Sequence, residues 1–370
     1  MRLLYCLSNL AAGGAQRQTC YLASEMARRG HDVVLALLAG GPNVSALNCA
    51  QVPMSWLTLG QRPARTRLAN YNPAAIWSLV KLIEQFRPDI VQSGIAQMDV
   101  LCGLAVRVTR TPWVLREPGG SWSHIPRPLR TLRVWAARKV SRVVTNSEAG
   151  SKLWTPCLTG TRVSLIPNGI PYSQIASQPD ARLAEWGMPE DSELILSVGR
   201  LEPYKNTLAL IRACAVLCEK RLKLRLMVCG DGSERVSIQN EVEARGLTGR
   251  ILLPGHVPNP YPLLRRASLF VSLSRTEGMP NSVLEALAAA CPVLLSDIPE
   301  HRALIDNESL PYVGTEQTER IIERIDRALT HNVQERAAAR RRAAQVQRYS
   351  ISALGDRYET LYGEVSSDNR

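Results

Sequence analysis

The sequence predicts an α/β protein built from two parallel-sheet domains. Three observations carry that expectation. Residues 2–38 follow the order strand, glycine turn, helix, strand, which is the order of a βαβ unit. A second series of the same kind starts at Glu193, after the polar stretch Tyr172–Asp191. A chain of 370 residues ordinarily divides into two domains.

The first strand is Arg2–Ser8, and Gly13-Gly14 opens a helix over Gln16–Arg29 that stops at Gly30. Gly13-Gly14-Ala15 lacks the spacing of a dinucleotide fingerprint. It offers either a close backbone approach for a ligand at a helix start or a plain tight turn. His31–Leu38 is the second strand. Strands follow at Val52–Leu59, Asp89–Gln92, Pro112–Leu115, Arg142–Thr145 and Val163–Ile166, with helices over Pro73–Phe86, Ala96–Thr109 and Pro128–Lys139. In the second half the strands are Glu193–Val198, Leu222–Cys229, Ile251–Leu253, Leu269–Leu273 and Pro292–Ser296. Helices over Thr207–Glu219, Glu234–Arg245 and Asn281–Ala290 alternate with them, and Thr315–Thr330 and Asn332–Tyr362 close the chain as helices. Such alternation places the ligand side at the strand C-termini.

Composition narrows the function. Hydrophobic residues make up 45%, enough for full cores. No run approaches the roughly 18 apolar residues that span a bilayer. The opening MRLLYCLSNLAAGGA superficially fits a signal peptide, but Ser8 and Asn9 interrupt its short apolar core. Nine scattered cysteines and five histidines, none at ligand spacing, argue against a metal site or disulfide framework and for a reducing compartment. The net charge of +12 lies wholly in the first half, where residues 1–172 hold 20 Lys/Arg against 7 Asp/Glu. One domain is therefore expected to meet an anionic partner. With no zinc-finger or RNP-type pattern, nucleic acid is not the expected one.

The most informative stretch is Ser274–Ser296. Pro280 suits a first helical turn, whose free N–H groups make an anion site. Glu277 and Glu285 flank it and suit hydroxyls, so phosphate with polyol suggests a sugar nucleotide. The alternative is structural: Ser282-x-x-Glu285 fits a capping box, and Glu277 an exposed loop. Arg200 and Lys205 share the loop after Val198, where they are either surface charge or, at a strand C-terminus shared with the Glu277 loop, a forked guanidinium and a point charge that hold one diphosphate. Ser121–Arg142 carries six cations and no acid. Leu129, Leu132, Trp135, Ala136 and Val140 share one helical arc, so the segment is either a helix on the sheet or a membrane-interface helix. Gln61–Leu68 is a second basic stretch. Asn146-Ser147 either caps the next helix or belongs to the ligand side.

Taken in order, Gly199-Arg200…Lys205, Gly230-Asp231-Gly232, Gly255-His256-Val257 and Glu277-x7-Glu285 resemble family 4 retaining glycosyltransferases of the GT-B fold. Gly13-Gly14-Ala15, Asn146-Ser147 and Ile166-Pro167-Asn168-Gly169 are similar to that family's N-terminal landmarks. The resemblance implies two Rossmann-like domains facing across a cleft: an acceptor domain over 1–172, a linker over 173–192, a nucleotide-sugar domain over 193–349, and a last helix, about 350–370, crossing back to the first. It implies that Arg200 and Lys205 neutralise the donor diphosphate and that Glu285 takes the ribose hydroxyls. Glu277 would lie beside the transferred sugar, and the backbone of Gly278, Met279, Pro280 and Asn281 would meet sugar and phosphate. Gly230 would lie on the donor side, with the backbone at His256 and Val257 bordering the base, and Gly13 and Gly14 would approach the diphosphate. No metal or other cofactor is implied beyond the nucleotide-sugar co-substrate.

Where several members carry a histidine, this chain has Arg116-Glu117. Glu117 is therefore assigned to acceptor orientation or weak base catalysis, and Arg116, Arg127, Arg130 and Arg133 to the acceptor or an anionic membrane. The expected activity is transfer of a hexose or N-acetylhexosamine, from UDP by family frequency, to a glycan acceptor that is lipid-linked, such as a polyprenyl-diphosphate oligosaccharide. The expected place is the cytoplasmic membrane's inner face, and the expected process cell-surface polysaccharide synthesis. The alternatives are an epimerase or hydrolase of sugar nucleotides and a non-catalytic binding protein.

Overall fold

Unbroken apolar runs such as Leu3–Leu7 and Leu194–Leu196 are what a parallel strand covered on both faces requires, and every side chain in both is buried. The computed structural model of the chain describes residues 1–10, 13–38, 52–57, 73–123, 125–158, 162–305, 310–315 and 317–368. Gln61–Leu68 and the end of the expected strand Val52–Leu59 lie outside them. The chain forms two units, Met1–Gly169 with Ile351–Arg370, and Ile170–Ser350.

The first unit runs β1 (Arg2–Leu7), α1 (Gly14–Arg28), β2 (Asp32–Leu37), β3 (Met54–Trp56), α2 (Pro73–Phe86), β4 (Ile90–Ser93), α3 (Ala96–Thr109), β5 (Trp113–Glu117), α4 (Arg127–Ala137), β6 (Arg142–Thr145), α5 (Glu148–Trp154) and β7 (Val163–Leu165). Its seven strands lie in the order β3-β2-β1-β4-β5-β6-β7, all parallel. Ser147 caps α5 by accepting from the Gly150 N–H at 3.2 Å, so the capping reading of Asn146-Ser147 holds for the serine.

The second unit runs α6 (Tyr172–Ser177), β8 (Glu193–Val198), α7 (Thr207–Lys220), β9 (Leu224–Cys229), α8 (Arg235–Ala244), β10 (Ile251–Gly255), α9 (Tyr261–Arg266), β11 (Leu269–Ser272), α10 (Asn281–Ala288), β12 (Val293–Ser296), α11 (Pro299–Arg302), β13 (Tyr312–Val313), α12 (Thr318–Thr330) and α13 (Asn332–Gln345). Its six strands lie in the order β10-β9-β8-β11-β12-β13. The last helix, α14 (Ile351–Ser367), belongs to the first unit. Arg29 pairs with Glu359, and the Tyr362 hydroxyl donates to Gln92 Oε1 at 2.6 Å inside the core.

Two expectations change. Residues 173–192 are not a free linker: Ile175, Leu183 and Met188 are buried in the same core as Leu194 and Phe270. The helix expected over Asn332–Tyr362 is broken by a 3-10 turn, Val346–Tyr349, where the chain leaves the second unit. Among the described residues, no helix is long and apolar enough to cross a membrane.

Candidate functional site

In a doubly wound sheet, ligands meet the C-terminal ends of the strands where the strand order reverses. In the second unit that point lies between β8 and β11. Arg200 and Lys205 follow β8, and Glu277 follows β11. The two loops are joined: Lys205 Nζ donates to Glu277 Oε1 at 2.5 Å, and the Arg275 N–H donates to Tyr204 O at 2.7 Å. Ser274 Oγ donates to the same Glu277 oxygen at 2.6 Å. Arg200 is exposed, and its Nη2 donates to the Tyr204 hydroxyl at 2.6 Å. One loop thus presents two cations, one tethered to a phenol and one to a carboxylate.

The loop after β9 supports this one. The Gly199 N–H donates to Cys229 O at 3.0 Å, and the Leu201 N–H to Asp231 O at 2.9 Å. Gly230 has φ +149, and a Cβ on it would sit 1.8 Å from Gly199 O. A Cβ on Gly232 would sit 2.4 Å from Leu201 O. These glycines are therefore fixed by the close approach of two backbones, and Gly230 positions the Arg200 loop. The Gly230 N–H donates in turn to Gly255 O at 2.7 Å, which brings His256 and Val257 to the same strand ends.

At α10 the capping-box alternative fails. The N-cap is Pro280, Ser282 lies inside the helix, and no side-chain cap forms, so Ser282 and Glu285 make no capping box. Glu285 is buried, on the core side of α10. The Asn281 N–H is not free as expected, because it donates to Met279 O at 3.0 Å. Gly278 and Met279 remain partly exposed beside Glu277.

The first unit brings its landmarks together at the ends of β5 and β6. Asn168 Oδ1 accepts from Arg116 Nη2 and, at 3.4 Å, from Asn146 Nδ2. Asn146 Nδ2 also donates to Pro118 O at 3.0 Å. Gly13 is the extended N-cap of α1, and Gly14 its first residue. The buried Gln18 side chain of α1 bonds both backbone groups of Gly169.

Four residues assigned from sequence stand elsewhere than expected. Glu117 is no exposed base: it is 3% exposed, and Oε2 accepts from Arg133 Nη1 at 2.7 Å, Trp122 Nε1 at 2.8 Å and Trp154 Nε1 at 3.0 Å. Arg133 meets no membrane. It is 1% exposed, bridges Glu117 and Asp99, and lies against the Trp122 and Trp154 rings. Arg116 is likewise buried, and Arg130 turns its Nη2 to the carbonyls of Trp122 and Ile125. Of the four arginines, Arg127 alone is exposed.

Sequence reasoning missed Asp99. Its Oδ1 accepts from Ser93 Oγ at 2.5 Å and its Oδ2 from Arg133 Nε at 2.7 Å. Burial pushes its carboxyl up to about 6, because one guanidinium shared with Glu117 offsets only part of the desolvation. The signal was the phase of α4. Its buried residues are Arg133, Ala136 and Ala137, followed by Val140, one step from the expected arc. Leu132 and Trp135 are instead 40% and 39% exposed and border an open depression with Pro128 and Thr131. Arg107 stacks on the Trp135 ring at 4.2 Å.

Two family models divide the chain between them. Residues 12–174 match Glycosyltransferase Family 4, and residues 180–346 match Glycosyl transferases group 1. The chain is 26% identical over 248 residues to the UDP-Gal:alpha-D-GlcNAc-diphosphoundecaprenol alpha-1,3-galactosyltransferase of Escherichia coli, covering 62% of this chain and 63% of that one. It is 28% identical over 201 residues to the putative glycosyltransferase EpsF of Bacillus subtilis (strain 168), covering 53% and 52%. The matched region thus spans less than two-thirds of either relative. HepE of Anabaena, solved with UDP and glucose, superposes with a TM-score of 0.83 at 18% identity, covering 98% of this chain and 99% of that one. WaaG, a glycosyltransferase involved in lipopolysaccharide biosynthesis, gives 0.75 at 17% identity, covering 97% and 99%.

Proposed function

The chain belongs to the family 4 glycosyltransferases of the GT-B fold, and on that premise we propose that it transfers a hexose or N-acetylhexosamine from UDP to a lipid-linked glycan, with retention, in bacterial cell-surface polysaccharide synthesis. The observation that carries this reading is the Lys205–Glu277 contact, with Arg200 on the same loop. A cation pair beside a carboxylate at the sheet's reversal point suits a diphosphate followed by a sugar. The names of relatives add weight to UDP and to a polyprenyl-diphosphate acceptor: the E. coli relative is a galactosyltransferase to such a carrier, and HepE was solved with UDP.

In the proposed reaction the bond from the anomeric carbon to the diphosphate breaks. The acceptor hydroxyl oxygen bonds that carbon on the same face, and its proton passes to the departing phosphate oxygen. Arg200 and Lys205 stabilise the charge that grows on the diphosphate, a task for fixed charges in a partly dry site. Glu277 orients the sugar, and Glu285 takes the ribose hydroxyls. Buried Glu117 holds the loop after β5 rather than moving a proton.

The proposed location is the inner face of the cytoplasmic membrane. It draws on the outer face of α4, where Leu132 and Trp135 stand among Arg107, Arg127, Arg138 and Lys139. Such a mixture suits an anionic leaflet.

The test is a nucleotide-sugar panel read by thermal shift, followed by transfer to a polyprenyl-diphosphate oligosaccharide. A UDP-sugar should raise the melting temperature by an amount set by its concentration over its dissociation constant and lose its sugar only when the acceptor is present. Epimerisation or hydrolysis of the donor alone would contradict the reading.

A further inference from the structure

We infer that His301 is a positioning residue for Glu277, acting through Ser296 and the Ser274 loop. The inference rests on the reading of Glu277 as the sugar-facing carboxylate.

His301, on α11, is fully buried. Its Nδ1 lies 2.9 Å from Ser296 O and 3.1 Å from Ser296 Oγ. A carbonyl oxygen only accepts, so Nδ1 carries the proton and the ring is fixed in one tautomer. Ser296 ends β12, and its Oγ donates to Ser274 O at 2.5 Å. Ser274, two residues beyond β11, turns its own hydroxyl onto Glu277 Oε1 at 2.6 Å. The chain therefore runs imidazole, Ser296, Ser274 backbone, Ser274 hydroxyl, carboxylate. The links between residues are hydrogen bonds inside one unit, and His301, Ser296 and Ser274 are each at most 1% exposed.

A carboxylate on a loop needs such support. Glu277 has its Oε1 shared between Lys205 and Ser274, and its geometry is only as fixed as the Ser274 main chain. The Ser296 hydroxyl fixes that main chain from the neighbouring strand, and His301 fixes Ser296. Burial keeps the ring neutral by lowering its pKa, so the proton on Nδ1 is its only one and stays committed to Ser296. Second-layer partners of this kind hold reacting groups within the narrow tolerance that chemistry demands.

The experiment compares His301→Leu, His301→Asn, Ser296→Ala and the Leu/Ala double variant in the full chain. The readouts are melting temperature, Kd for UDP, and Kd and kcat with UDP-glucose, or with whichever UDP-sugar of the panel binds the wild type. His301→Leu should keep UDP affinity within about 3-fold while kcat falls by about 10-fold or more, a split expected of a group acting on sugar orientation. His301→Asn, whose amide N–H can still reach Ser296 O, should recover most of that loss. Ser296→Ala should reproduce it, and the double variant should be no worse than either single one, because they share one path.

Losses in kcat that add in the double variant, a full loss in His301→Asn, or unchanged kcat in His301→Leu would each overturn the inference. Ser296→Ala and His301→Asn keep it testable if the leucine variant does not fold. If the wild type binds no nucleotide sugar, the proposed function fails instead. The positioning claim is then decided by a crystal structure of Ser296→Ala or His301→Asn. Glu277 should leave Ser274 Oγ in the first and keep it in the second, and an unmoved Glu277 in Ser296→Ala overturns the claim.

Discussion

Lys205 and Glu277 lie on loops after different strands, β8 and β11, yet their side chains meet at 2.5 Å. The Lys205 and Glu277 side chains are 19% and 9% exposed, so the pair is mostly shielded from water. A ligand diphosphate can take the lysine while Ser274 keeps the carboxylate in place. Glu277→Gln retains an acceptor oxygen for both donors and should fold normally. Its UDP affinity should stay within about 3-fold, and turnover should fall by roughly 100-fold, as when an interaction made mainly in the transition state is lost. Steady-state kinetics with UDP titrations checks both.

The basic helix α4 divides its arginines by role. Arg133→Ala would leave Asp99 and Glu117 buried without their shared cation, at a cost of about 3–5 kcal/mol by denaturant unfolding. Trp135→Ala with Leu132→Ala should leave stability nearly unchanged, since both side chains are exposed. On the membrane proposal, that double variant should lose binding to phosphatidylglycerol vesicles. Equal vesicle binding by wild type and double variant would remove α4 from the interface.

Asp99 gives the first unit a pH dependence of known sign. Its folded carboxyl titrates near 6, above the usual 3.8. Between these values the folded state holds the proton and the unfolded state does not. Its contribution to stability is therefore complete below about 3.8 and is lost as pH rises through about 6. Asp99→Asn removes this component. The stability of the variant relative to wild type should rise by on the order of 1 kcal/mol from about pH 5 to about pH 7, measured by urea unfolding at each pH.

Gly230→Ala should be severe although it removes no side chain. The new Cβ would meet a backbone oxygen at 1.8 Å in a conformation that L residues rarely adopt. We expect a loss of several kcal/mol of stability, or a displaced Arg200 loop with UDP affinity lowered by about 10-fold or more. Thermal unfolding and UDP titration distinguish the two outcomes.

How much of this was legible follows from what each feature depends on. The strands were readable because buried parallel strands are continuous apolar runs, and Glu193–Val198 and Arg142–Thr145 have the expected bounds. Arg200, Lys205 and Glu277 were readable as loop residues at strand ends, since local order alone puts them there. Arg133 was not, because an arginine on a helix reads as solvated until its partners are known. Those partners, Asp99 and Glu117, lie 34 and 16 residues away. The same holds for Glu117, whose burial depends on Trp122 and Trp154 closing over it. Gly230 looked like a ligand contact and is set by a neighbouring backbone. His301 carried no signal at all, because its role lies in the register of β12 against β11.

The most direct test of the central claim is the affinity of an Arg200→Ala, Lys205→Ala double variant for UDP and the UDP-sugar that binds the wild type, by isothermal titration on folded protein. The account predicts that both affinities fall by about 100-fold or more, the loss expected when two charge-assisted contacts to one diphosphate disappear. Wild-type affinities in a variant with an unchanged melting temperature would contradict it.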